Sequence, residues 1–333
     1  MQLVNSVQSF LLKLENITNT IKSDSKHDNI LLTYRGHEIE SWKLEPSLYR
    51  KGNSNKIRNE HNYINDAVIN FPNDLESHRT NFEKLAFFQH YGFPTRLLDL
   101  TENPLVSLYF ACQKNTRTKQ NASVEVLAIE KSLLKYYNSD SVSVLSAFSR
   151  LNNTKIRDIK SQFESHLLRS NDSDIKKLCK VNAGQQQTLL EMISSKYSTL
   201  KESTQKEIDY QLNKTENINF LYHEIKYEKS HFEHKIKFED FDNRILCVKT
   251  KMSNPRILAQ QGLFLLFGIY NSNKMNMSKI NSAKYKKLIH NKKITIDINS
   301  KEKILKELDL LGINQKRLFP EFLYSGKSIL NQY

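Results

Sequence analysis

The chain has 333 residues, 50 Lys and Arg against 36 Asp and Glu, a formal charge of +14, and an apolar fraction of 38% with 10% aromatic residues. Disordered chains are poor in aromatics, so this one is expected to fold, and no stretch reaches the roughly 20 apolar residues that a membrane-spanning helix needs. The excess of Lys and Arg points to polyanions, nucleic acid or a phosphate-bearing ligand, although a Lys-, Asn- and Ile-rich mix also arises from an AT-rich genome.

Val4, Val7, Leu11, Leu14 and Ile17 recur at helical spacing and predict an amphipathic N-terminal helix ending before the polar stretch Lys22 to Asn29. That segment has the features of neither a signal peptide nor a membrane anchor, so a cytoplasmic protein with no membrane partner is expected. Ile30 to Tyr34 reads as a short buried strand with Arg35-Gly36 at its end. Helical patterns follow over Lys56 to Phe71 and Asp74 to Tyr91, the second stopped by Gly92. Thr95 to Leu100 reads as a buried strand, and Asn103-Pro104 opens another helix, where proline is tolerated in the first turn.

Val124 to Ile129 predicts a strand, and a long polar helical region covers roughly Ser132 to Thr215. Strand signals return at Ile245 to Thr250, Leu263 to Phe267 and Ile294 to Ile298, and Ser300 is placed to cap a helix carrying Ile304, Leu308 and Leu311. Lys274 to Lys293 is a basic run without Asp or Glu, whose Lys284, Lys286, Lys287, Lys292 and Lys293 are candidate nucleic-acid contacts. A solvated loop is the competing reading. Cys112, Cys179 and Cys247 lie far apart without metal-ligand spacing, so neither a disulfide framework nor a metal site is expected. A phosphate loop ending in Gly-Lys-Ser or Gly-Lys-Thr, a Rossmann glycine fingerprint and a His-Glu-x-x-His motif are all absent.

Several residues read as chemistry or as packing. Arg35 beside Gly36 can grip a phosphate with its planar fork, or form an ion pair with a group such as Asp99. His90, at a helix end, suits a general base, a ribose contact or a structural histidine. Thr95, Arg96, Asp99 and Thr101 put polar groups into an apolar strand and turn where each needs a partner. Alternation sends Thr95, Leu97 and Asp99 to one face and Arg96, Leu98 and Leu100 to the other. Gln260, Gln261 and Gly262 stand at the mouth of a strongly apolar strand, and Trp42 is read as packing rather than ligand stacking.

The runs YRGHEIESWKLEPSLYR (Tyr34 to Arg50), EKLAFFQHYGFPTRLLDLTENPLVSLYFA (Glu83 to Ala111) and NPRILAQQGLFLLFG (Asn254 to Gly268) together resemble the FRG domain family, with Tyr34 in place of the Phe of its namesake motif. A more distant resemblance is to ADP-ribosyltransferases, in which an arginine holds the phosphates of NAD, a hydroxyl supports the nicotinamide ribose and a late glutamate stabilises the sugar cation. Arg35, Thr95 or Thr101, and Gln261 match that order. Gln261 departs from it, because an amide brings no charge, and Asp99 or Glu102 is the candidate substitute.

The resemblances imply an α+β fold with a small split mixed or antiparallel sheet flanked by helices, plus an α-helical insertion. The expected division is an N-terminal helix (1–29), the N-terminal FRG core (30–131), the helical insertion (132–240) and the C-terminal part of the core (241–333). They imply NAD as substrate and cofactor, catalytic roles for Arg35, Thr95, Asp99 and Gln261, and NAD contacts from Tyr34, Gly36, His90, Arg96, Thr101 and Arg256. Enzymes of that kind serve as toxins or phage-defence effectors, which implies an antitoxin or defence partner, with nucleic acid as an acceptor that the basic surface would favour. The alternative is a catalytically silent nucleotide-sensing or nucleic-acid-binding module of such a system.

Overall fold

The computed structural model describes residues 3–24, 29–113, 120–131, 134–182, 188–233, 235–241, 245–252, 254–269 and 290–320. Its centre is one mixed sheet of seven strands: β1 (Ile30–His37), β2 (Leu97–Thr101), β3 (Ala122–Glu130), β4 (Leu134–Tyr136), β5 (Ile245–Lys249), β6 (Gly262–Phe267) and β7 (His290–Ile296). The spatial order is β4-β5-β6-β2-β1-β3-β7, with β4 and β5 parallel and every other pairing antiparallel. The fold is thus α+β, with helices flanking an open sheet, and its strands come from both ends of the sequence.

The sheet is continuous but unevenly knit. β1 pairs with β3 from Ile30 to His37, and β2 pairs with β6 from Leu97 to Thr101. β1 and β2 meet in register at a single pair, Tyr34 with Thr101. The halves therefore part on either side of that pair, and this is how the expected split is realised.

Apolar residues explain which faces are covered. On one face, the helix Val7–Asp24 and the helix Lys301–Leu310 bury Val7, Phe10, Leu14, Ile304 and Leu308 against Val124, Val126, Ile294 and Ile296. Beside them, the helix Asn81–His90 and the helical insertion form a larger core around Phe82, Phe88, Phe148, Phe163 and Phe238, which also takes in Leu97, Phe264 and Leu266. On the opposite face Leu98, Leu100, Leu127, Leu263 and Leu265 pack with Leu48 and Tyr49. Leu97 and Leu98 thus part to opposite faces, as strand alternation requires. Cys112 and Cys247 are buried, and burial pushes both thiols up to about 12. No helix among the described residues is long and apolar enough to cross a membrane.

Local chemistry moves several element ends away from the sequence reading. The first helix starts at Val7, because Val4 instead bridges the edge of β7: its amide donates to the Thr295 carbonyl and its carbonyl accepts from Asp297, at 3.0 and 2.9 Å. β1 continues through Arg35 and Gly36 to His37, since all three keep pairing with β3. The helical region after residue 132 begins with a short strand, β4. Ser300 does not cap its helix with its side chain, since its hydroxyl donates to Asp297 at 2.8 Å.

The helix Pro104–Ala111 lies directly on Gly36. A Cβ at Gly36 would stand 2.0 Å from the Ser107 carbonyl oxygen and 2.6 Å from the Ala111 nitrogen, both backbone atoms that cannot swing aside. The glycine therefore serves close approach of helix to strand. Gly36→Ala should lose on the order of 1–3 kcal/mol or more through overpacking, read as a lowered midpoint of thermal or urea unfolding. A midpoint equal to wild type would mean that the helix does not sit on β1 in this way.

Candidate functional site

Where β1 and β2 part, a cleft of about 320 Å³ opens, lined by Tyr34, Arg35, Gly36, Glu38, Trp42, Arg50, Ala86, Gln89, His90, Asp99, Thr101, Ser107, Phe110, Arg256 and Gln260 among others. It joins residues from 34 to 264 in one concavity. The splayed junction creates the space, and the glycine-bedded helix Pro104–Ala111 contributes Ser107 and Phe110. Asn103 starts that helix by accepting from the amides of Leu105 and Val106, at 2.9 and 3.4 Å.

Arg35 bridges the two sheet halves. Its Nη1 donates to the Asp99 carbonyl oxygen at 2.5 Å and stands 3.7 Å from the Asp99 carboxylate, while Nε donates to His37 Nε2 at 3.2 Å. Nη2 has no hydrogen-bond partner among the described residues. Burial lowers the guanidinium's pKa, Asp99 opposes that, and nearby Arg50 adds to it. Arg50 and Arg256 line the same cleft, so three guanidinium groups gather where the carboxylates are Glu38 and the exposed Asp99. Arg256 rests on the Phe319 ring, 4.6 Å from its centre. Behind Arg35, His37 is 2% exposed and neutral, its pKa lowered to about 3 by burial and then by Arg35, Lys293 and Arg50, with the Trp42 backbone opposing.

The other residues selected from the sequence fall into three groups. Tyr34, Gly36, His90, Asp99, Thr101 and Arg256 join Arg35 in the lining of the cleft. Within this group the Thr101 hydroxyl donates to the Gln260 carbonyl at 2.6 Å and accepts from the Asn103 amide at 3.0 Å, so it latches β2 to the late segment. Thr95 and Arg96 lie outside the lining. Thr95 is buried, donates to Gln89 Oε1 and accepts from the Leu97 amide, so it reaches the cleft only by orienting Gln89. Arg96 is buried against Glu60 in a two-pronged ion pair and donates to the Phe267 carbonyl at 3.4 Å. Burial works to lower its pKa, but the Glu60 carboxylate outweighs this and raises it.

Gln261 makes up the third group. It ends the helix Pro255–Gln260 in the left-handed conformation, with φ 48°, and is exposed. Its carbonyl accepts from the Glu102 amide at 3.0 Å, and its neighbour Gln260 is the one that lines the cleft. Glu102, the other candidate carboxylate, pairs with Lys249 at 2.8 Å.

Sequence reasoning passed over Arg50, Gln89 and Ser107, it placed Gln260 at the strand mouth but gave the catalytic role to Gln261, and it took Trp42 for packing, whereas Trp42 is 41% exposed and lines the cleft. Arg50 stands within the quoted FRG-like run, but no spacing rule marks it. Of the basic run, Lys284, Lys286 and Lys287 lie outside the described residues. Lys292 is exposed on β7. Lys293 is not a free phosphate contact, because it pairs with the buried Glu125 at 3.1 Å and donates to the Glu40 carbonyl at 2.9 Å.

An α+β domain whose sheet parts over an arginine-lined cleft is the class that fold and site define. Residues 31–120 match the family model described as FRG domain, so the chain carries an FRG domain. The match contributes β1, β2 and the helix Pro104–Ala111, while the Asn254 to Gly268 block lies beyond it and forms the cleft's other wall. No curated protein and no solved structure matches the chain.

Buried Arg96 and part-buried Arg35 should behave in opposite ways. Glu60→Gln leaves the Arg96 charge buried and unpaired and should cost about 3–5 kcal/mol of stability. Arg35→Gln removes a cleft-facing group with hydrogen bonds worth about 1–1.5 kcal/mol and should cost no more than that. Urea unfolding of both variants checks the contrast, and equal losses would make Arg35 a structural residue.

Proposed function

We propose that this protein is an ADP-ribosyltransferase-like enzyme that binds NAD in the cleft between β1 and β2. The observation that carries the reading is the gathering of Arg35, Arg50 and Arg256 around a cleft of about 320 Å³ whose carboxylates are Glu38 and Asp99, with Asp99 beside Arg35. Guanidinium groups hold phosphates through paired, charge-assisted hydrogen bonds. Nη2 of Arg35, which has no hydrogen-bond partner among the described residues, is placed to make one.

In this reaction the bond between nicotinamide and the ribose anomeric carbon breaks. Nicotinamide leaves with the bonding pair, and positive charge develops on the sugar ring. Asp99 supplies a negative charge at that point, the task for which an amide such as Gln260 is too weak. Gln89, whose Oε1 accepts from Thr95, offers its amide nitrogen, Gln260, whose Nε2 donates to the Leu318 carbonyl at 3.0 Å, offers its amide oxygen, and His90 offers an imidazole for the ribose hydroxyls. The acceptor's nucleophile then bonds to the anomeric carbon and releases a proton, with water as the acceptor in the simplest case. Lys293 is held by Glu125, so a nucleic-acid acceptor would rely on the rest of the basic run. The toxin or defence-effector role rests on the resemblance to ADP-ribosyltransferases.

The purified protein should release nicotinamide from NAD. Asp99→Asn should lower the rate by about 10²-fold or more, the scale seen when one transition-state electrostatic partner is removed. Arg35→Gln should raise KM by about tenfold or more. Trp42 is the chain's one tryptophan, so its fluorescence reports occupancy of the cleft independently of turnover. Quenching by ADP-ribose without nicotinamide release would leave a nucleotide-binding module and remove the enzyme. No quenching and no release would end the reading altogether.

A further inference from the structure

The largest cleft among those described lies elsewhere, between the helix Ser54–Arg58 and the helical insertion, and holds about 870 Å³. That is near the upper end of the roughly 300–1,000 Å³ typical of small-molecule sites. Part of its wall is apolar, from Tyr49, Ile57, Leu151 and Ile269. Arg58 and Arg157, from two separate helices, also line it, and neither has an ion-pair partner among the described residues.

Two further observations point to an anionic ligand. The 16-residue helix Asn153–Leu168 begins in this cleft. Asn152 caps it through the Lys155 amide at 2.8 Å, and its carbonyl takes the Ile156 amide at 3.1 Å. The amides of Asn153 and Thr154 have no hydrogen-bond acceptor in the helix, and the helix dipole makes this end positive. Independently, Nδ1 of His61 in the same wall is buried without a hydrogen-bond partner among the described residues. Burial, ahead of the nearby charges, lowers that imidazole's pKa, so it is a neutral group available for a hydrogen bond.

The carboxylates of the cleft do not cancel this charge. Glu60 is engaged by Arg96. Of the remaining charged groups in the lining, Arg58, Arg157 and Lys160 outnumber Glu164.

We infer that this cleft is a second ligand site, for an organic phosphate of nucleotide size. The phosphates sit on Arg58, Arg157 and the start of the helix. The base lies over the apolar wall, with His61 at its polar edge. The inference does not depend on NAD turnover in the first cleft.

The test is binding of ADP to the full chain by calorimetry, with inorganic pyrophosphate and adenosine as comparison probes. Wild type should take up ADP at a site that the double variant Arg58→Gln, Arg157→Gln weakens at least about tenfold, and that Arg35→Gln leaves unchanged. Pyrophosphate, which lacks the base, and adenosine, which lacks the phosphates, should each bind there at least about tenfold more weakly than ADP. Both arginines lack ion-pair partners among the described residues and are exposed, so the double variant should keep the wild-type melting midpoint, which separates lost binding from lost fold. If every ADP site is abolished by Arg35→Gln and untouched by the double variant, the inference is wrong. It is equally wrong if ADP does not bind, or if pyrophosphate matches ADP, which would mean charge attraction without a built site. An ADP site sensitive only to Arg58 and Arg157 would uphold this cleft while counting against the first one.

Discussion

The single register pair between Tyr34 and Thr101 is the constraint on which the rest of this structure depends. A sheet with full pairing across β1 and β2 would close the space between them with backbone hydrogen bonds and leave no cleft. With one pair, the halves stay joined yet diverge, and backbone groups at the parting need other partners. Arg35 meets part of that need by donating to the Asp99 carbonyl. Thr101 and the Glu102 amide meet another part by bonding to the carbonyls of Gln260 and Gln261. The side chains that bridge the parting are consequently those that face the cleft.

Two arginines separated along the chain by 61 positions (96 − 35), Arg96 buried and Arg35 part-buried, illustrate how environment assigns a role. Arg96 has a dedicated carboxylate, Glu60, and both are less than a tenth exposed. Such a pair is self-contained, and its charge is unavailable to a ligand. Arg35 has only a carbonyl, a neutral imidazole and a carboxylate 3.7 Å away that is 61% exposed. Arg35 is part-buried, with its side chain 16% exposed, and is not neutralised, a condition that an anion relieves. The neutrality of His37 follows first from its burial and then from the same neighbourhood, since a second positive charge beside Arg35 and Lys293 would be repelled.

Much of the architecture was legible because its signals are local. The Asn103-Pro104 start of a helix, the alternation of Leu97 and Leu98 and the apolar run of β6 each follow from a few neighbouring residues, and all three appear in the fold. What the sequence could not show depends on long-range placement. Gly36 reads only as a ligand contact beside Arg35, and that it also beds the helix Pro104–Ala111 depends on how that helix docks. Gln261 and Gln260 are indistinguishable as letters, and only the left-handed turn at the helix end decides that Gln260 lines the cleft while Gln261 is exposed. Thr95 looked like a site hydroxyl, but its partner Gln89 is the group that lines the cleft, a pairing set by how the helix Asn81–His90 docks. Arg50 and Trp42 enter the site because the segment after β1 folds back toward the strand parting, for which the sequence carries no periodic signal.

The central claim is that Arg35 is held ready for a phosphate at the strand parting. A crystal structure of the protein soaked with ADP-ribose tests it most directly. The account predicts diphosphate density between β1 and β2, with a phosphate oxygen within hydrogen-bonding distance of the Arg35 guanidinium and the Tyr34–Thr101 pairing preserved. A ligand bound away from Arg35, or an empty cleft at saturating ADP-ribose with Arg35 still closed on Asp99, would contradict it.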